Sequence, residues 1–141
     1  MPCSTGRPRY ITITSSATPL FNGDCLEPGT HINAVGANSL ARRELDETTI
    51  ARASLIAVDT VPTALREAGD LLPALEKGRL YPRQLVELGA IVASRAEGRT
   101  TPTQITIFES QGLAIQDLVV GAALVELARA RGLGIELPLA M

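Results

Sequence analysis

The chain has 141 residues, of which 45% are hydrophobic and 20% are charged, and its formal net charge is −2. These values are typical of one globular domain, and the charge argues against a nucleic-acid-binding surface, which needs clustered basic residues. The most apolar segment, residues 113–130, is interrupted by polar side chains, which predicts a buried helix rather than a membrane span. Cys3 and Cys25 have neither metal-ligand spacing nor a secreted disulfide pattern, so we expect no metal site and a reducing, cytoplasmic compartment.

Residues 1–9 are rich in Pro, Gly, Ser and Arg, which predicts an unstructured lead-in, and residues 10–141 form the predicted domain. The predicted elements in chain order are strands at 10–14 and 32–35, a helix capped by Asp46 and reaching residue 52, a strand at 55–59, helices at 62–68, 71–77 and 83–94, a strand at 104–108 and a long helix at 113–131. Residues 135–137 form either a further strand or a tail. Four strands separated by helices or loops predict an α/β fold with a parallel sheet.

The turn Gly36-Ala37-Asn38 follows the second predicted strand directly. Ligands of open α/β sheets bind beyond the carboxyl ends of the strands, and small residues there leave room for a flat ring or a phosphate. A plain turn with Asn38 in a left-handed conformation explains the same residues without a ligand.

The junction Ser110-Gln111-Gly112, after the fourth predicted strand, is a second candidate site. Ser110 is expected to cap the long helix, and Gly112 would let the chain come close to a ligand at the helix N-terminus. A simple cap needs no ligand. Thr14 and Ser15, at the end of the first strand, begin a hydroxyl-rich turn, and on composition alone their hydroxyl groups can simply satisfy the backbone of that turn.

The segment INAVGANSLARRELD, residues 32–46, closely resembles the active-site segment of the ornithine cyclodeaminase/mu-crystallin family. The resemblance continues in order and at the family's spacing through Asp59, EAGD at 67–70, ELG at 87–89 and ITIFESQGLAIQD at 105–117. It implies a Rossmann-like sheet that binds NAD or NADP. The cofactor-lining positions that it implies are Thr14, Ser15, Asn33, Ala34, Val35, Arg42 and Ser110, and the substrate-facing positions are Asn38 and Gln111.

The resemblance covers only the second half of full-length family members. No G-x-G-x-x-G phosphate-binding motif is present in the sequence, whereas relatives carry it in a preceding part together with the substrate domain. We therefore expect a partial Rossmann-like domain with flanking helices, weak cofactor binding by this chain alone, and either self-association or a partner that supplies the missing half. Whether the chain is an enzyme on its own is left open.

Asn38 occupies the position where cyclodeaminases of the family have an aspartate that transfers protons. A carboxamide has no useful basic site, so this position disfavours ammonia release and favours hydride transfer to or from a small imine or amino acid. The expected function is that of an imine (ketimine) reductase or amino-acid dehydrogenase in amino-acid metabolism. The alternatives are an ornithine cyclodeaminase, a non-catalytic protein that binds a cofactor or small ligand, and a remnant without a ligand.

Overall fold

Five short parallel strands form one sheet in the computed structural model, which describes residues 8–135 and residue 137. The strands are β1 (Arg9–Thr12), β2 (His31–Ala34), β3 (Leu55–Val58), β4 (Leu85–Glu87) and β5 (Thr106–Glu109). Their order across the sheet is β1-β2-β5-β3-β4. The α/β class and the parallel sheet predicted from the sequence are confirmed. Residues 1–7 of the predicted lead-in lie outside the described residues.

The described helices are α1 (Glu47–Arg52), α2 (Val61–Glu67), α3 (Leu72–Glu76), α4 (Leu88–Val92) and α5 (Ala114–Ala130), with 3₁₀ turns at Gly23–Cys25 and Pro82–Gln84. Asp46 caps α1 as predicted, since its Oδ1 accepts from the Thr49 N–H at 2.7 Å. Its Oδ2 accepts from the Gly23 N–H at 2.9 Å and thereby ties the long loop before β2 to the same helix.

The helix predicted at 83–94 is wrong. The segment contains the end of a 3₁₀ turn, the strand β4 and then the short helix α4, so the sheet has five strands and not four. Ile56 and Val58 of β3 are aligned with Leu85 and Glu87 of β4. It is this pairing with β3 that makes residues 85–87 a strand. Tertiary pairing therefore overrides a weak helical pattern. The alternatives for residues 135–137 stay untested, since residue 136 lies outside the described part.

The sheet buries one face. Side chains alternate along β2, so that Ile32 and Ala34 are buried while His31 and Asn33 are only partly covered. The buried face packs against α1, α2 and α3 in a core that includes Leu45, Ile50, Val58, Leu71 and Ile107. The other face, with Asn33, Ala57 and Phe108 in register, borders an open cavity of about 530 Å³ that Leu88 and Ile91 wall on one side.

Helix α5 is not buried, contrary to the prediction for the most apolar segment. Its 17 residues include none that is buried, and large apolar side chains such as Leu118 and Leu124 are more than half exposed. Parallel sheets are normally covered on both faces. Here an open sheet face, an edge strand β1 and an uncovered apolar helix occur together. No helix among the described residues is long and apolar enough to cross a membrane.

Candidate functional site

The carboxyl ends of all five strands lie at one edge of the sheet because every pairing is parallel. Three neighbouring strands, β1, β2 and β5, lead at this edge into Thr14, Val35 and Ser110, which the sequence singled out. The Val35 N–H donates to the Thr12 carbonyl at 2.9 Å, and the Ser110 N–H donates to the Ala34 carbonyl at 2.9 Å. The predicted positions on separate strands are thus brought to adjacent strand ends.

Glu44 accepts hydrogen bonds from the turns that follow β1 and β2. Its side chain is fully buried, and its two oxygens accept from the Thr14 N–H at 2.6 Å and from the Gly36 N–H at 2.9 Å. A Cβ at Gly36 would collide with this carboxylate. Gly36 and Ala37 are both buried, so the expectation that these small residues leave room for a ligand is wrong, and the space beside Gly36 holds Glu44 instead.

Asp59 fastens the third strand end. Its Oδ2 accepts from the Ser110 hydroxyl at 2.6 Å and from the backbone N–H groups of Gln111 at 3.0 Å and Gly112 at 2.9 Å. The prediction that Ser110 caps α5 is therefore wrong. The helix begins at Ala114, and Leu113 precedes it without a side-chain cap. Gly112 has φ +85°, and open space surrounds the position that a Cβ would take, so the outer side of this turn is accessible.

Two further buried acids, Asp70 and Glu109, lie close enough to Glu44 and Asp59 to influence one another. Burial raises the pKa of Glu109 well above its ordinary value, and the neighbouring negative charges of Asp70, Glu44 and Asp59 raise it further. Glu109 therefore holds its proton at a pH where an exposed glutamate has lost it. Its Oε1 accepts from the Gln111 side-chain amide at 3.2 Å, which orients Gln111 at the edge.

The Gln111 side chain leaves one polar atom without a partner. Its Oε1 is buried, and no hydrogen-bond partner for it exists among the described residues. A buried acceptor without a partner is costly, and a donor group on a bound molecule would satisfy it if the side chain turned outward. Asp59 Oδ1 and Glu109 Oε2 beside it are also buried without a partner, so the substrate-facing role of Gln111 stays a prediction.

Asn38 is exposed, and its Oδ1 accepts from Arg42 Nη1 at 3.0 Å. This bond orients the carboxamide carbonyl of Asn38 toward the loop that carries Arg42. It also joins a predicted substrate contact, Asn38, to a predicted cofactor contact, Arg42. Asn38 is not left-handed, because Ser94 is the one non-glycine residue in the described part with a positive φ. The alternative that explains the turn by a left-handed Asn38 is therefore wrong.

The remaining predicted positions differ in what they expose. Ser15 is exposed beyond β1, whereas the Ala34 side chain is fully buried in the core below the edge. The Asn33 side chain lies on the open sheet face, where its Oδ1 is 3.3 Å from His31 Nε2. Burial lowers the pKa of His31, although the bond to Asn33 opposes this effect. Asn33 is thus directed toward the cavity and not toward the turns of the edge.

The sequence predicts the turns after β1, β2 and β5 but not the acids that hold them. Glu44, Asp59 and Glu109 belong to the segments that carry the resemblance, which gives them no role. A carboxyl group at the end of a buried strand, as in Asp59 and Glu109, is a signal that identifies two of them. Among the described residues, no group of three or more His, Cys, Asp or Glu side chains could hold a metal ion.

Comparison with known proteins matches residues 10–132 to the ornithine cyclodeaminase/mu-crystallin family. The chain belongs to this family. The match includes both turns, all five strands apart from Arg9, and the whole of α5. The resemblance carried by residues 32–46 is therefore confirmed.

Three relatives show how much of a family member the chain represents. It is 37% identical to Δ1-pyrroline-2-carboxylate reductase of Bacillus cereus over 88% of this chain and 38% of that protein, and 34% identical to alanine dehydrogenase of Archaeoglobus fulgidus over 88% and 38%. The solved structure of Thermococcus litoralis Δ1-pyrroline-2-carboxylate reductase with NADH and L-proline matches with a TM-score of 0.85 and 33% identity, over 92% of this chain and 40% of that one. The chain thus spans about two fifths of the length of these relatives.

Proposed function

We propose that this chain supplies the nicotinamide side of an NAD(P) site in an imine reductase or amino-acid dehydrogenase. Membership in the family supports the cofactor, and the relatives named above reduce a cyclic imine or interconvert an amino acid. The observation that carries the proposal is Asn38, held by Arg42 at the edge where cyclodeaminases have an acid.

The residues of the edge fit a dinucleotide bound against its nicotinamide end. Thr14 and Ser15 are exposed beyond β1, Val35 and Ser110 are half-buried beside them, and Arg42 lies on the adjoining loop. These five are the proposed cofactor contacts at the edge, whereas Asn33, which faces the cavity, and Ala34, whose side chain is buried, stay predictions from the resemblance. When bound, the cofactor would supply or accept a hydride. The chain's own contribution is a rigid edge, because Glu44 and Asp59 satisfy five backbone or hydroxyl donors of the turns from below.

Asn38 and Gln111 are the proposed substrate contacts. The Asn38 carbonyl already accepts from Arg42, so its amide N–H₂ is the group that can donate to a substrate. The unpartnered Gln111 Oε1 is buried, and it can accept from a substrate N–H once the side chain turns outward. One donor and one acceptor suit an imino or amino acid, and neither can remove a proton as a general base does. Reduction or oxidation at a C–N bond therefore fits this pair better than ammonia release.

Asn38→Asp is expected to raise ammonia release from ornithine by about 10²-fold or more, because general base catalysis contributes about 10²–10⁴-fold. The test uses a chimaera in which the preceding part of the Bacillus cereus reductase is joined ahead of residue 8. Asn38→Ala is the control, which should slow imine reduction without adding ammonia release. Release of ammonia from ornithine by the chimaera that carries Asn38, at a rate equal to that of the Asp variant, would refute the argument from the carboxamide.

The chain alone is expected to bind NADH no more than about threefold more tightly than reduced nicotinamide mononucleotide. The phosphate-binding turn, whose N–H groups contribute charge-assisted bonds of about 1.5–3 kcal/mol each, is not in this sequence. Backbone NMR shifts titrated with both ligands measure this, with ADP-ribose as the control. Shifts caused by the mononucleotide at residues 14–15, 35 and 110–112 support the proposal. Micromolar NADH binding, or shifts by ADP-ribose alone, would contradict it.

We also propose that the protein works in the cytoplasm and self-associates or binds a polypeptide that completes the sheet. The absence of a secreted cysteine pattern supports the compartment. The open face of the sheet and the edge of β1, which pairs with no further strand among residues 8–135, support the need for a cover. Its substrate is a small imine or amino acid, and neither nucleic acid nor a membrane is a proposed partner.

A further inference from the structure

The loop of residues 37–45, which carries Asn38 and Arg42, packs against a buried turn of residues 68–70. This turn joins α2 to α3 and follows β3, which does not adjoin β2 in the sheet. The fold thus brings together two segments that are neither close in sequence nor on neighbouring strands. A contact of this kind determines where the side chains of the loop lie at the edge.

Four hydrogen bonds join the loop to the turn. The Gly69 N–H donates to the Ala37 carbonyl at 3.2 Å, and the Gly69 carbonyl accepts from Arg43 Nε at 3.3 Å. Asp70 Oδ1 accepts from the next two backbone N–H groups of the loop at 2.6 and 2.9 Å. One bond precedes residues 38–42 and three follow them, so the segment between is held at both ends.

Gly69 is needed for space and not for an unusual backbone conformation, because its φ is not positive. A Cβ at this position would lie 1.9 Å from the Arg42 carbonyl oxygen and 2.6 Å from the Ser39 carbonyl oxygen. Both atoms belong to the backbone, so neither can rotate away as the end of a flexible side chain can. With any residue larger than glycine, the loop would have to move away from the turn by about 1 Å or more.

The two carbonyls that face Gly69 belong to one closed turn of the loop. The Arg42 N–H donates to the Ser39 carbonyl at 3.0 Å, and Arg42 Nη1 donates to Asn38 Oδ1 at 3.0 Å. The hydrogen-bonded pair of Asn38 and Arg42 is therefore built on the same backbone that Gly69 contacts. A displacement of this backbone would move both side chains at the edge.

We propose that Gly69 is a positioning residue, which places the pair of Asn38 and Arg42 by letting the loop lie directly against the turn of residues 68–70. The inference rests on the proposed function, in which Asn38 contacts the substrate and Arg42 contacts the cofactor. Gly69 is buried and acts only through the loop. A misplacement of about 1 Å by a change far from the chemistry can cost about 10²-fold in rate, so a single added methyl group here has a large expected effect.

Gly69→Ala is expected to change the NMR signals of the Asn38 side-chain amide and of the Arg42 Nε–H in the full chain. The matched control is Gly23→Ala. Gly23 is also buried, and a Cβ there would lie 2.4 Å from the Thr49 backbone nitrogen, in contact with α1 and not with the loop. Gly23→Ala should therefore leave both signals in place, and urea unfolding measures the stability that each variant loses.

A milder change keeps the test decisive if Gly69→Ala does not fold. Arg43→Ala removes the bond from a half-buried side chain to the Gly69 carbonyl, and it should change the Asn38 amide signals in a folded chain. Arg66→Ala is its control, because the Arg66 side chain is 71% exposed on α2, ahead of the turn. Where Gly69→Ala is unfolded, Asn38 signals in Arg43→Ala that equal those of the control overturn the proposal.

The consequence for catalysis is measured in the chimaera with the Bacillus cereus reductase. Gly69→Ala should lower kcat for imine reduction about 10- to 100-fold, whereas Gly23→Ala should stay within about twofold of the original. The proposal is also overturned if a folded Gly69→Ala chain changes the two signals no more than Gly23→Ala does, or if both variants lose equal activity. A chimaera that reduces no imine with Gly69 in place would refute the proposed function instead, and the NMR signals would still decide what positions the pair.

Discussion

Glu44→Ala is expected to lower the free energy of unfolding by about 2–4 kcal/mol, because it leaves the buried Gly36 N–H without an acceptor, at about 1–3 kcal/mol, removes the bond of the partly buried Thr14 N–H and opens a void. The two groups are those of Thr14 and Gly36, which Glu44 holds at 2.6 and 2.9 Å. The void would lie beside Gly36, where the carboxylate now fills the space of the missing side chain. Urea unfolding followed by circular dichroism measures the loss.

Two other variants separate the role of the carboxylate from a general effect of removing a charge. Glu97 is exposed, and Glu97→Ala should change the free energy of unfolding by no more than about 0.5 kcal/mol. Glu44→Gln keeps one oxygen as an acceptor but sets an N–H₂ group against the second N–H, so its cost should lie between the other two. A Glu44→Ala variant as stable as Glu97→Ala would show that these bonds do not hold the edge together.

The sequence predicts the two central strands β2 and β3 well. The predicted strands at 32–35 and 55–59 lie within one residue of them, because Ile32, Ile56 and Val58 are apolar β-branched residues that the core buries. The edge strand β4 has only three residues, and it exists because β3 lies beside it. No local signal distinguishes such a strand from the start of the following helix, so its prediction as helix was wrong.

The turns of the candidate site were predictable from local sequence, whereas their supports were not. Ser110 was expected to cap the next helix because it precedes it. Its hydroxyl instead donates to Asp59, which is 51 residues away in sequence and directly follows the adjacent strand β3. The strand order that joins them is not visible in one sequence. The apolar composition of α5 predicts a buried helix. Composition indicates only that the apolar side chains need other groups packed against them, and it does not show that these groups belong to this chain.

The original chain is expected to lose free energy of unfolding as the pH rises and Asp70 gives up its proton. Asp70→Asn is expected to abolish this part of the pH dependence. Asp70 is almost fully buried, and its Oδ1 accepts from the N–H groups of Glu44 at 2.6 Å and Leu45 at 2.9 Å. Burial raises its pKa from 3.8 to about 6, which these two bonds oppose and the charge of Glu44 reinforces. The folded chain thus holds the proton of Asp70 at a pH where the unfolded chain has released it.

A raised pKa in the folded state stabilises the fold below the unfolded value, and this contribution is lost as the pH rises through about 6. Because a tenfold difference in proton affinity between the folded and unfolded chain corresponds to about 1.4 kcal/mol, the loss between about pH 4 and pH 8 is roughly 2–3 kcal/mol. The asparagine keeps the Oδ1 acceptor and does not titrate. Its free energy of unfolding minus that of the original chain should therefore increase by this amount from pH 4 to pH 8.

The comparison is made by urea unfolding at several pH values, with Asp24→Asn as the control, because Asp24 is exposed and is not among the charges that shift the pKa of Asp70 or Glu109. The control should run parallel to the original chain over the whole range. Glu109 shares the environment of Asp70, and loss of the Asp70 charge also removes one cause of the raised pKa of Glu109. The difference between Asp70→Asn and the original chain should therefore grow with pH and not shrink. A difference that is constant, or that falls with rising pH, would mean that Asp70 is charged in the fold at little cost and that the four acids do not act as one buried group.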